Sequence, residues 1–238
     1  MTVLEGKGVV KRFGGRKAVD NVDFYVDEGE ILGLIGPNGA GKTTLFNLIS
    51  GAIQLDEGTI TYNGERISGL KPHQICHMGI GRTFQAAKNF PDLTVRENVI
   101  MGATFGKERI SAEEAGKIAD EVLAFVGLTD WASKSIKDIT LANQKYVEVA
   151  RALATRPKLL LLDEMMAGLN LTEVSDAMAL VTRIRDSGIT VVMIEHVMKA
   201  IMSVCDRLVV LNHGVKIAEG TPAEVSSNQT VIEVYLGE

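Results

Sequence analysis

Little in this 238-residue sequence points to a membrane span, an oxidising compartment or a nucleic acid. No apolar run approaches the roughly 18 residues that a bilayer span requires, and the first residues lack the basic start and apolar middle of a secretory signal. A soluble, cytoplasmic chain is therefore expected. Cys76 and Cys205 are the only cysteines, lie far apart and have no C-x-x-C neighbour, which predicts reduced thiols. Lys and Arg number 25 against 30 Asp and Glu, a net charge of −5 that lacks the basic footprint of a broad nucleic-acid binder. What is abundant is apolar: 46% of residues are hydrophobic, enough for a substantial core built as one large domain or as a core with a smaller inserted lobe.

Within that core, Gly36-Pro37-Asn38-Gly39-Ala40-Gly41-Lys42-Thr43-Thr44 fits G-x-x-x-x-G-K-[ST] without a mismatch. Ile31-Leu32-Gly33-Leu34-Ile35 ahead of it reads as a buried strand, and Thr44 to Ile49 after it as a helix start. Glycines let the backbone curl until successive N–H groups converge on anionic oxygens at a helix N-terminus. Lys42 then reaches the β- and γ-phosphates, and Thr43 offers its hydroxyl to Mg²⁺. Nucleotide binding is the expectation.

Read in order, residues 3–32 alternate around Gly14-Gly15 and predict antiparallel strands. Phe13, just ahead of that turn, is either a ring that stacks on a base or an ordinary core or edge aromatic. Residues 57–65 predict a strand with an Asn63-Gly64 turn, and 79–85 a strand ending at Gln85. His73, Cys76 and His77 fall on one helical turn; His73 and His77 have metal-ligand spacing, but no second ligand pair stands near them, which favours a non-metal reading. Residues 86–138 turn Ala-, Glu- and Lys-rich, with a helix over 111–126, and read as an inserted helical lobe.

The rest alternates: helix 143–154, a leucine strand ending at Asp163-Glu164, helix 172–186, strand 189–194 ending before Glu195-His196, helix 197–204, strands 207–211 and 215–218, and one C-terminal helix over 222–236. Such alternation implies a mainly parallel sheet with its ligand at the strands' carboxyl ends. Asp163 there can hold the Mg²⁺ that Thr43 touches, and Glu164 can face an attacking water.

Together these features resemble the ATP-binding subunits of ABC transporters over essentially the whole chain. The resemblance implies a P-loop ABC ATPase fold: a mainly parallel core with an N-terminal antiparallel β subdomain (1–85 and 139–238) and a helical subdomain (86–138), all one 238-residue domain. It implies ATP and Mg²⁺ as ligands, Glu164 as the catalytic glutamate, Asp163 as the Mg²⁺ aspartate, Gln85 as the glutamine that senses Mg²⁺ and the membrane partner, His196 as the switch histidine, and Phe13 as the adenine-stacking aromatic.

Within the family, Arg82-Thr83-Phe84-Gln85, residues 90–99, Ala167-Gly168-Leu169-Asn170 and Tyr235-Leu236-Gly237-Glu238 look like the branched-chain amino-acid uptake ATPases. Implied partners are a second ATPase chain, membrane permease subunits that dock on the lobe near Phe90, Leu93 and Val95, and indirectly an extracytoplasmic solute-binding protein, with no nucleic acid. The implied place is the cytoplasmic face of the membrane.

One segment departs from the family. Its L-S-G-G-Q signature aligns with Ile139-Thr140-Leu141-Ala142-Asn143, where Thr140 keeps a hydroxyl for the partner's ATP but both glycines are lost. Met165 and Leu171 also stand where prolines are usual.

Overall fold

A hairpin of β1 (Thr2–Phe13) and β2 (Arg16–Asp27) turns at Gly14 and Gly15, both left-handed. Downstream, β4 (Glu57–Tyr62) pairs with β1, and the left-handed Asn63-Gly64 turn leads to β5 (Glu65–Arg66), giving an antiparallel sheet of order β2-β1-β4-β5. The second sheet contains β3 (Ile31–Ile35), β6 (Ile80–Arg82), β7 (Leu159–Asp163), β8 (Thr190–Ile194), β9 (Arg207–Asn212) and β10 (Val215–Gly220). Its order is β10-β9-β3-β8-β7-β6; every pairing is parallel except that of β9 with β10. This computed structural model describes residues 1–84, 89–106 and 110–236.

Strands β3, β7 and β8 are buried at every position, so they read as continuous apolar runs rather than alternating ones. Alternation still decides where each side chain goes. Leu32, Leu34, Leu159, Leu161, Val192 and Ile194 pack toward the antiparallel sheet and helix α1 (Lys42–Ile49). Ile31, Ile35, Leu160, Leu162, Val191 and Met193 pack toward helices on the other face. Each such leucine removed from water stabilises the fold by about 1.5–3 kcal/mol, and together they fix the strand ends that carry the site.

Helix α2 (Pro72–Met78) carries His73 and His77, whose rings meet edge-to-face at 6.2 Å. The strand expected over 79–85 ends sooner, at Arg82, and Gln85 lies outside the described residues. Beyond it, helices α3 (Val95–Thr104) and α4 (Ala112–Val126) pack on one another and on α5 (Leu141–Ala154). Thr94 and Glu97 form a capping box at the start of α3, and the fully buried Asn98 holds the preceding loop by bonds to Phe90, Leu93 and Thr94.

Helix α5 begins two residues before its expected start, because the Thr140 hydroxyl oxygen accepts the Asn143 N–H at 3.2 Å and caps it. Helix α6 (Leu171–Asp186) is capped by Asn170 and stops at Ser187 and Gly188; α7 (Met198–Val204) follows β8. The single C-terminal helix expected over 222–236 is two: α8 (Pro222–Ser227) and α9 (Gln229–Leu236). Asn228 breaks them, in extended conformation, with its Oδ1 accepting the Val231 N–H at 3.3 Å.

Candidate active site

The segment 36–41 leaves β3 and enters α1 through a curl that only glycine tolerates at two points. Gly36 has φ 148° and Gly41 φ 104°; a Cβ at Gly36 would overlap the Leu211 carbonyl oxygen, and one at Gly41 the Ala18 carbonyl oxygen. The β9–β10 turn fastens this loop from the side: the Gly214 N–H donates to the Ala40 carbonyl at 3.0 Å, and the Gly214 carbonyl accepts the Asp20 N–H at 2.8 Å. Lys42, first in α1, is buried and donates from Nζ to the carbonyls of Gly36 at 2.6 Å and Pro37 at 3.0 Å. Burial pulls its pKa below the usual lysine value, against the opposing attraction of Glu164 and Asp163.

Asp163 ends β7 at the carboxyl edge of the sheet, buried, with its Oδ2 accepting Arg82 Nη2 at 3.1 Å. Burial raises its carboxyl pKa despite the Arg82 charge. The Asp163 Oδ1 atom is buried without a hydrogen-bond partner among the described residues. That orphaned oxygen and the Thr43 hydroxyl of the glycine loop are hard oxygen donors of the kind that would suit Mg²⁺, with phosphates and water completing its shell.

Arg82 is held in turn by Asn47 Oδ1 at 2.8 Å and Ser50 Oγ at 2.7 Å, both near the end of α1, and lies over the rings of Phe46 and Phe84. Glu164 follows Asp163 in left-handed conformation, φ 51°, its N–H donating to the Ile194 carbonyl at 2.9 Å. Its carboxylate Oε1 lies 3.0 Å from His196 Nε2, so the residues after β7 and β8 meet at one point.

Lys42, Glu164 and His196 open onto one cleft of about 490 Å³. Phe13 stands in its wall from the antiparallel sheet, 51% exposed, with Lys11 Nζ 5.5 Å from its ring centroid. Asn38, Gly39, Ala40, Gly41, Lys42, Thr43, Thr44, Glu164 and His196 line it as well. Gly36 and Pro37 lie behind the wall as acceptors for Lys42, and Thr140 is elsewhere, at the start of α5. Leu141 beside it is 48% exposed and reaches over Gly168, while Ala142 is buried. Near the start of the lobe expected to meet a membrane partner, Phe90 is exposed and Leu93 half-buried, whereas Val95 is wholly inside the helical core.

Arg16, Lys17 and His213 also line the cleft and were not picked out from the sequence. Two cues could have found them: Arg16 and Lys17 directly follow the Gly-Gly turn after Phe13, and His213 sits in the turn at the carboxyl end of β9. Arg82, Lys145 and Glu195 carry no such cue, because their partners are remote in sequence.

The strand order, the glycine curl and the carboxylates at the strand ends define a P-loop nucleotide-binding cassette. A family model described as ABC transporter matches residues 19–167, and one described as Branched-chain amino acid ATP-binding cassette transporter matches 215–238. The chain is 41% identical to the high-affinity branched-chain amino acid transport ATP-binding protein BraF of Pseudomonas aeruginosa, the match covering 99% of this chain and 98% of the relative. It is 38% identical to the corresponding protein LivG of Escherichia coli, again over 99% and 98%. Among solved structures, the ADP conformation of MJ1267, an ATP-binding cassette of an ABC transporter, superposes with a TM-score of 0.93 at 33% identity, covering all of both chains. The chain belongs to the ABC transporter family, as one of its ATP-binding proteins.

Proposed function

We propose that the chain hydrolyses ATP to ADP and phosphate to energise an importer of branched-chain amino acids. The observation that carries the chemistry is the Glu164–His196 contact at 3.0 Å, opening onto the cleft that Lys42 and the glycine loop also line. The loop N–H groups and the Lys42 ammonium receive the β- and γ-phosphates, Lys42 exchanging carbonyl acceptors for phosphate oxygens. Thr43 and Asp163 hold Mg²⁺, with Gln85 as a further ligand outside the described residues; the ion neutralises charge on the phosphates when bound. Phe13 offers its exposed face to the adenine. Glu164 accepts a hydrogen bond from the attacking water and takes its proton, while His196 holds that carboxylate in place and faces the γ-phosphoryl group.

The solute is inferred from the printed functions of BraF and LivG and from the match of residues 215–238. No helix among the described residues is long and apolar enough to cross a membrane, so permease subunits must supply the path. The apolar groove between α2 and α3, walled by Ile75, Cys76, Phe84 and Phe105, supports a docking place beside the helical lobe, and docking there on permease subunits would put the chain at the cytoplasmic face.

The second ATPase chain is a different one. Here the exposed Leu141 puts a side chain where a helix N-terminus would approach the partner's nucleotide, so this chain offers a poor signature but keeps its own hydrolytic groups. Glu164→Gln is expected to lower ATP turnover by about 10²–10⁴ while ATP stays bound, as loss of a general base requires. Unchanged turnover would remove Glu164 from the mechanism.

A further inference from the structure

Two charged side chains that do not reach the cleft are buried directly behind it. Lys145 is 9% exposed and lies one turn into α5; its Nζ donates to the Glu164 carbonyl at 2.9 Å. Glu195 is 3% exposed and sits between β8 and His196; its Oε1 accepts the Met166 N–H at 2.8 Å. Its Oε2 is buried without a hydrogen-bond partner among the described residues. A buried charge is retained only where something compensates it, and the Lys145 ammonium is close enough to pull on the Glu195 carboxyl.

What these two residues grip is the stretch that hydrolysis depends on. Glu164 holds a left-handed backbone, φ 51°, that a residue with a side chain rarely adopts unless its surroundings impose it. The Ile194 carbonyl fixes its N–H, Lys145 fixes its C=O, and Glu195 fixes the N–H two residues on. We infer that Lys145 and Glu195 are positioning residues for the reaction: they set the backbone from which the Glu164 carboxylate reaches water and His196. Because Lys145 belongs to the helix that Thr140 caps, any displacement of that helix by a partner reaches the Glu164 carbonyl through one side chain.

The inference rests on Glu164 as the water-polarising group, and the test separates the two. ATP turnover is measured in the full-length chain in its hydrolytic assembly, alongside titration with a fluorescent ATP analogue and thermal melting. Lys145→Met is expected to lower kcat by about 10–100-fold, the scale of a misplaced catalytic group, with KM and analogue affinity within about twofold of wild type. Lys145→Arg, which keeps a cationic donor, should recover most of that loss. Glu195→Gln keeps an acceptor for Met166 but removes the counter-charge, and is expected to lower kcat by about 3–10-fold.

If Lys145→Met does not fold, the Glu195→Gln result decides. Wild-type kcat in Lys145→Met and Glu195→Gln overturns the inference, as does a loss that Lys145→Arg fails to rescue or one that falls equally on analogue affinity. Glu164→Gln is the control: intact turnover there overturns the functional reading itself, and the positioning role with it.

Discussion

At Asp163 a buried carboxylate, proposed to hold Mg²⁺, lies inside the sheet, and Arg82 compensates its charge. Its guanidinium bonds Asp163, Asn47 and Ser50 together, joining β7 to α1 from below the glycine loop. Arg82→Ala leaves that carboxylate without its cation, and removing one member of a buried pair is expected to cost about 3 kcal/mol in a urea unfolding experiment. Glu195 shows the opposite balance. Burial pushes its carboxyl from 4.5 up to about 7, against the Met166 bond and the Lys145 charge. A raised native pKa means that the native state holds a proton which the unfolded chain has released. Its contribution to stability is therefore complete below about 4.5 and is lost as the pH climbs through 7. Glu195→Gln should flatten that slope, by about 1–3 kcal/mol between pH 4.5 and 8 in denaturant melts; an unchanged slope would mean that another group carries it.

Among the elements, the glycine loop is the least tolerant. Gly41→Ala places a methyl group against the Ala18 carbonyl at φ 104°, and a strain of about 1–3 kcal/mol there should weaken ATP binding by about 10²-fold in an equilibrium titration. This loop was legible in the sequence because its chemistry is local: the glycines, the lysine and the flanking strand and helix lie within twenty residues. So were β3, β7 and β8, whose apolar runs have one reading once helices separate them. The start of α5 was not, since Thr140 was weighed for its hydroxyl toward a phosphate rather than as a cap. The C-terminal break was missed because Asn228 looks like a helix residue until its side chain is seen to bond the next turn. Phe90, Leu93 and Val95 read alike in the sequence, as apolar residues that either meet a partner or pack the lobe, and only the packing of α3 against α4 and α5 separates the buried Val95 from the exposed Phe90. Arg82 and Glu195 were illegible for the plainest reason: Asp163 and Met166, the groups they bond, arrive only through the sheet's long crossovers.

Across the whole molecule, Glu164 and His196 lie in the cleft while Thr140 lies outside it at the start of α5, so if the partner is a different chain with an ordinary signature, as proposed, a head-to-tail pair would form unequal sites. With the Leu141 side chain over Gly168 at this chain's signature surface, the site built on the partner's loop should be the slower one. Glu164→Gln in this chain is then expected to remove most of the turnover of the assembled pair. The matching substitution in the other chain should remove little, and phosphate release from the two singly substituted assemblies measures the difference. Finally, the pair of bonds through Gly214 rivets the hairpin that carries Phe13 to the loop that receives the phosphates. If Phe13 and the loop take the roles proposed for them, adenosine and its phosphate tail would meet a jig of preset span. In the proposed site, loss of the last phosphate would be felt twice, by Lys42 within that jig and by the Glu164–His196 jaw hinged on other strands.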